Sequence, residues 1–288
     1  MNFFDLHADV PLKISEDMSC ESSVDLYGKS FEKYAQFAAI WLNDGDSHPI
    51  ETYEQMRDNF VCYLNKNGLK LSLPGRKDGI FLSLENGGFL SEYPKYLDKL
   101  QSDGVRLISL SWNGENSLAG GCRADCGFSE KGIQIIKRMN EKHMVLDISH
   151  LNKRSAKRAI EVADYVIASH SCCSKVFKHT RNLDDDILLK IREKGGLVGI
   201  CFYPEFLGAG DVFFKIKENI DHLIDLSMHN NISIGTDFDG AVMDKKLSKS
   251  CDLPKLYCYL SKFSYGEELL NKIFYLNALD FFAGVCNY

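Results

Sequence analysis

The chain has 288 residues, 45% of them hydrophobic and 26% charged, with a formal net charge of −6. That length accommodates one large α/β domain with a sizeable core, and the mild acidity offers no basic surface to nucleic acid or acidic lipid. No apolar run reaches the ~18 residues that a membrane-spanning helix needs.

The chain opens directly on an apolar run, residues 2–8 (NFFDLHA), without the basic or hydrophobic region of a secretory leader. This run predicts a strand carrying His7, with Asp9 two residues on; alternate strand residues share a face, so both can reach one ion. The segment 10–35 has no clear period and is expected to be a long loop in which short helices can form. A second strand is predicted at 36–42 (QFAAIWL), then a helix at 49–67, where Met56, Phe60 and Leu64 recur at four-residue spacing. The third strand, 79–85 (GIFLSLE), ends in Glu85, and Asn86-Gly87-Gly88 behind it suits a sharp turn away. A fourth, 104–111 (GVRLISLS), leads into Trp112 and Asn113.

Further along, Ser129 opens a helix over 129–141. The fifth strand, 143–149 (HMVLDIS), delivers His150, and after a helix at 152–163 the sixth, 164–169 (DYVIAS), delivers His170. His179-Thr180-Arg181-Asn182 follows, then a helix at 183–194 and a seventh strand, 196–202 (GLVGICF), with Tyr203 at its end. A helix over 212–230 precedes the eighth strand, 231–237 (NISIGTD), which closes on Asp237; Asp239, before Gly240, suits a turn. The segment 240–264 is again poorly patterned, and a last helix covers roughly 266–282.

Continuous apolar runs alternating with helices predict a (β/α)8 TIM barrel of the metal-dependent hydrolase type, a single domain spanning 1–288. An open dinucleotide-binding sheet is disfavoured because no Gly-x-Gly-x-x-Gly follows the first strand. His, Asp and Glu at successive strand ends converge on one barrel rim, and imidazoles with carboxylates suit zinc or a similar divalent ion. Each ligating imidazole then needs its second nitrogen held by a carbonyl or carboxylate. The ten cysteines are scattered and are expected to be reduced thiols; Cys122 and Cys126 lack the second pair that a zinc finger would require.

Taken together, several segments resemble the membrane dipeptidase (renal dipeptidase) family of zinc peptidases, family M19, along nearly the whole chain. They are Asp5-Leu-His-Ala-Asp9, Gly104 to Asn113, Gly127 to Gly132, Met144 to His150, Ser169-His-Ser171 with His179 to Asn182, Gly199 to Phe206, and Gly235 to Gly240. The resemblance implies two zinc ions per chain, one on His7 and Asp9, the other on His150 and His170, with Glu85 bridging. A water between the metals would attack the peptide bond of a dipeptide, Asp237 would handle its proton, Arg181 would bind the C-terminal carboxylate, and Tyr203 would wall the pocket. A cytoplasmic, leaderless and anchorless version, with a homodimer suggested by relatives, is implied as well. Trp112 departs from the pattern, since many relatives carry a substrate-contacting His there; indole neither ligates metal nor titrates, which bears on substrate range.

Two other readings stand beside it. One is another binuclear-metal amidohydrolase acting on a different amide, lactam or ester. Phosphotriesterase-like barrels bridge their metals with a modified Lys on the fourth strand, where this chain has none. The other is a non-catalytic metal- or peptide-binding protein, which the intact ligand set disfavours.

Overall fold

Apolar and β-branched runs that need cover on both faces pair in strict chain order. The computed structural model describes residues 1–19, 22 and 31–286. Its strands are β1 (Asn2–Ala8), β2 (Lys33–Trp41), β3 (Gly79–Glu85), β4 (Leu107–Ser109), β5 (Val145–Asp147), β6 (Val166–Ser171), β7 (Leu197–Ile200) and β8 (Ile232–Ile234). All neighbours are parallel, and β8 returns to β1 through Asp5 and Ile234, closing a (β/α)8 barrel.

The helices are α1 (Val10–Glu16), α2 (Pro49–Lys66), α3 (Tyr96–Ser102), α4 (Glu130–Glu141), α5 (Lys153–Val162), α6 (Asp185–Glu193), α7 (Pro204–Leu207), α8 (Val212–Asp225), α9 (Leu253–Leu260), α10 (Gly266–Asn271) and α11 (Asn277–Val285). Ser129 caps α4 by accepting from Gly132 N at 3.0 Å. Helix α3 lies where the sequence showed no helical period, and α1 and α9 are short helices within the segments 10–35 and 240–264, where the sequence allowed them. Cys20 and the rest of 20–21 and 23–30 lie outside the described residues. The last predicted helix is interrupted by a π-helical turn at Lys272–Leu276. No helix among the described residues is long and apolar enough to cross a membrane, and the described cysteines are free thiols.

The barrel interior is layered. Phe4, Phe37 and Phe81 pack with Phe282 of α11, at ring separations of 4.7 to 6.1 Å, and close the lower end. Above this floor, Ser83 of β3, Ser109 of β4, Asp147 of β5 and Ser169 of β6 are all buried. Strand alternation places them on the same face as Phe81, Leu107, Val145 and Ile167 beneath. One more step along β3 brings Glu85 to the rim. The barrel is therefore oily at its floor, hydroxylic and acidic at mid-height, and lined with a carboxylate at the C-terminal mouth, where barrel enzymes build their sites.

Candidate metal centre

His7, Asp9, Glu85, His150, His170 and Asp237 come together at that mouth. Glu85 Oε1 lies 2.6 Å from His150 Nε2, and Oε2 lies 3.3 Å from His7 Nε2, so its two oxygens face two different imidazoles. His150 Nε2 and His170 Nε2 are 2.9 Å apart. His7 Nε2 lies 3.6 Å from Asp9 Oδ2 and 3.9 Å from Asp237 Oδ1. Ligand atoms of His7, Glu85 and His170 fall within 4.8 Å of one another, as do those of His7, Asp9 and Asp237.

The route by which some of them arrive differs from the sequence reading. Asp9 does not continue β1 on the face of His7. The strand ends at Ala8, and Asp9 opens α1 with φ −88° and ψ 37°, its N–H bonded to Phe238 O at 2.8 Å. Asp237 is three residues past β8, in the left-handed region at φ 64°, with its N–H on His7 O at 3.0 Å. His7 and His170 sit where the ladder registers of β1 and β6 slip, between Asp5 and Ala8 and between Ala168 and Ser171; such irregularities re-aim side chains beside active sites. Behind Glu85, the positive φ (70°) falls on Asn86, not on the glycines. Gly88 is there for space, since a Cβ would lie 2.7 Å from Asn116 Nδ2.

The second nitrogens are held. His150 Nδ1 donates to Asn113 Oδ1 at 3.1 Å. His170 Nδ1 donates to Ser169 Oγ at 2.8 Å, and Ser169 Oγ in turn donates to Asp147 Oδ2. Asp147 Oδ1 also accepts from the N–H groups of Ser149 and Ser169, each at 3.0 Å. Asp5, buried in β1, accepts from His7 N at 3.2 Å and from Thr236 N at 2.9 Å, tying the two ends of the barrel sequence together.

With Nδ1 protonated on both rings, the Nε2 atoms of His150 and His170 point lone pairs at one another. His7 Nε2 is buried with no hydrogen-bond partner. Burial opposes charge on Glu85, but the neighbouring His150 and His7 outweigh it and hold its carboxyl well below the usual range. Burial pushes the Asp9 carboxyl up to about 7, and it depresses His170, helped by His7 and Arg181. Crowded nitrogen lone pairs and buried carboxylates are what a divalent cation relieves, and mixed N/O donors fit zinc. The residues present therefore fit such an ion.

A cavity of about 710 Å³ opens over the cluster, lined among others by Trp41, Trp112, Arg181, Tyr203, Phe206 and Asp239. Arg181 is 4% exposed and its guanidinium carbon lies 5.0 Å from the Phe206 ring centre. Its Nη2 donates to His150 Nε2 at 3.1 Å and to His170 O at 3.3 Å, while Nε and Nη1 are buried without partners. Tyr203 stands edge-on to Phe206 at 5.0 Å, and Trp112 packs against Trp41 at 5.1 Å and lies 6.1 Å from the His150 ring. Asp239, at φ 70°, is a turn residue paired with Lys13 Nζ at 2.7 Å. Asn113, Asp147, Ser169 and Asp5 were given no supporting role from the sequence. The available signal was an acid buried within an apolar run, as in Phe-Phe-Asp-Leu-His and Val-Leu-Asp-Ile-Ser-His.

A closed parallel barrel with histidines and carboxylates gathered at its C-terminal rim defines the class of metal-dependent barrel hydrolases. The membrane dipeptidase model (peptidase family M19) matches residues 51–287, and the chain belongs to that family of metallopeptidases. It is 30% identical over 208 residues to a protein encoded in the pqqA 5′ region of Klebsiella pneumoniae, covering 67% of this chain and 76% of that protein. It is 29% identical over 197 residues to the dipeptidase verJ of Clonostachys rogersoniana, 66% of this chain but 51% of the fungal one. The match thus spans about half the length of the fungal relative. The fold superposes on a solved dipeptidase of the same family with a TM-score of 0.90 at 20% identity, covering 98% of both chains. A Rhodobacter sphaeroides metallopeptidase solved with a phosphinate mimic of L-Ala-D-Ala gives 0.89 at 21%, with the same coverage.

Proposed function

We propose that this chain is a zinc-dependent dipeptidase that holds two metal ions at the barrel mouth and cleaves the peptide bond of dipeptides. One observation carries the reading: Glu85 turns one oxygen to His150 and the other to His7, within a cavity that also contains a buried guanidinium with two unpartnered nitrogens. His7 and Asp9 would hold one ion, His150 and His170 the other, and Glu85 would bridge them. Zinc in such a site supplies Lewis acidity that lowers the pKa of a water and polarises the carbonyl.

The protein's own groups do the rest. Arg181 presents a buried positive charge with N–H donors at Nε and Nη1 that no protein group uses, which suits a substrate's free C-terminal carboxylate. A longer peptide would present a neutral amide there and leave the buried charge unmatched. Asp237, held next to His7 by its own backbone, takes a proton from the attacking water and returns it to the leaving amine. Tyr203 and Phe206 wall the carboxylate end, and Trp112 closes the His150 side. The Rhodobacter complex supports including D-residues in the second position. We further infer one catalytic unit over the whole chain, a cytoplasmic location, and a homodimer as the assembly to look for.

The test is a dipeptide panel with and without chelator, scored by released amino acids. Chelator-sensitive cleavage of free dipeptides, with C-terminally amidated analogues spared, is expected. Cleavage of esters or lactams alone would favour the broader amidohydrolase reading, and no turnover with metal bound would favour a binding protein.

A further inference from the structure

The Arg181 end of the cavity carries a second guanidinium. Arg123 lines the same cavity from the loop between β4 and α4. That loop is pinned beside the metal cluster. Arg123 N donates to Asn113 O at 2.9 Å, Gly121 N to Gly114 O at 2.7 Å, and a Cβ on Gly121 would lie 1.9 Å from Trp112 O. Arg123 therefore travels with the segment whose Asn113 holds His150.

The charges of Arg123 and Arg181 both bear on the Cys122 thiol and on the His179 ring, so the two cations flank one patch. They differ in surroundings: Arg181 is buried, whereas Arg123 is exposed at the rim. Among the described residues no carboxylate pairs with the Arg123 guanidinium. The acid in the neighbourhood, Glu205, acts on His179 and accepts from the Tyr203 hydroxyl instead. One buried guanidinium with unpartnered N–H groups and one unpaired cation at its rim make a site for two carboxylates on one residue, and a cavity of about 710 Å³ has room for both.

We propose that Arg123 is a specificity residue that selects dipeptides ending in an acidic residue, with the α-carboxylate on Arg181 and the side-chain carboxylate on Arg123. The proposal rests on the dipeptidase reading and adds to it the substrate class.

The experiment compares kcat/KM for Ala-Glu against Ala-Gln and Ala-Asp against Ala-Asn, with either hand at the second residue. It uses the zinc-loaded enzyme and its Arg123→Gln, Arg123→Lys and Arg123→Glu variants. The wild type is expected to favour the acid over its amide by about fivefold, as for one partly exposed charge pair. That ratio should fall toward one in Arg123→Gln, survive in Arg123→Lys, and give way to a preference for Ala-Lys in Arg123→Glu. It should also shrink as salt is raised to ~0.5 M. An acid-to-amide ratio near one in the wild type, or a ratio that Arg123→Gln leaves intact, overturns the assignment. If the amide substrates are cleaved without any acid preference, this inference falls and the dipeptidase reading stands; if none of the four is cleaved, both fall.

Discussion

His150 and His170 present the same nitrogen to the cluster but are held differently, one by the Asn113 amide oxygen and the other through Ser169 to Asp147. Replacing Asn113 with Leu frees the His150 ring and its tautomer; zinc affinity should drop about 10- to 100-fold, measured by competition with a chelating dye. Unchanged affinity would mean that Asn113 is packing only. Asp237→Asn should keep the metal but lower kcat by roughly 10²-fold or more; near-normal turnover would remove Asp237 from proton transfer. At this scale the residues that cluster at the mouth were legible because each one stands at or just past the end of an apolar run. Their supports were not, because Ser169 meets Asp147, and Thr236 meets Asp5, only across strands.

The strands and loops set how closely these residues approach. Gly235 follows β8, and a Cβ there would lie 1.7 Å from Ser169 O. Gly235→Ala must push β8 away from β6 and with it Asp237 from His170, so a loss of about 1–3 kcal/mol in stability is expected from overpacking. Urea unfolding checks it, and a midpoint equal to the wild type's would contradict the crowding argument. A second element-level test concerns α2 and α3. Asp103, just past α3, accepts from Arg57 of α2 at 2.8 Å and from Lys99 at 2.5 Å. Burial raises the Asp103 carboxyl, but these cations outweigh it and hold it below its usual value. A depressed folded-state pKa gives stability that is present above the unfolded value and lost as pH falls through the folded one. Asp103→Asn should therefore destabilise by about 1 kcal/mol at neutral pH, with the gap closing below pH ~4; a gap independent of pH would refute the linkage. Strand positions were readable from continuous hydrophobicity. Helix α3 was not, because Tyr96-Leu-Asp-Lys-Leu-Gln-Ser102 is too short to establish a period. Nor could the register slips at His7 and His170 be seen, since they depend on neighbouring strands.

For the molecule as a whole, closure of the barrel is what brings residues from both ends of the chain to one point. Asp5 and Thr236 join the first and last strands beneath the cluster, and the aromatic floor shuts the opposite end. The alternation of strands and helices made this architecture legible, and ligand types recurring at strand ends indicated which mouth would be used. The central claim is that this mouth cages a pair of cations. Elemental analysis of protein stripped of metal, reloaded with zinc and desalted tests it most directly. About two zinc ions per chain are expected, with the second ion lost when His150 and His170 are both replaced by alanine. No retained zinc in the wild type, or a full complement retained without those two imidazoles, would contradict the account.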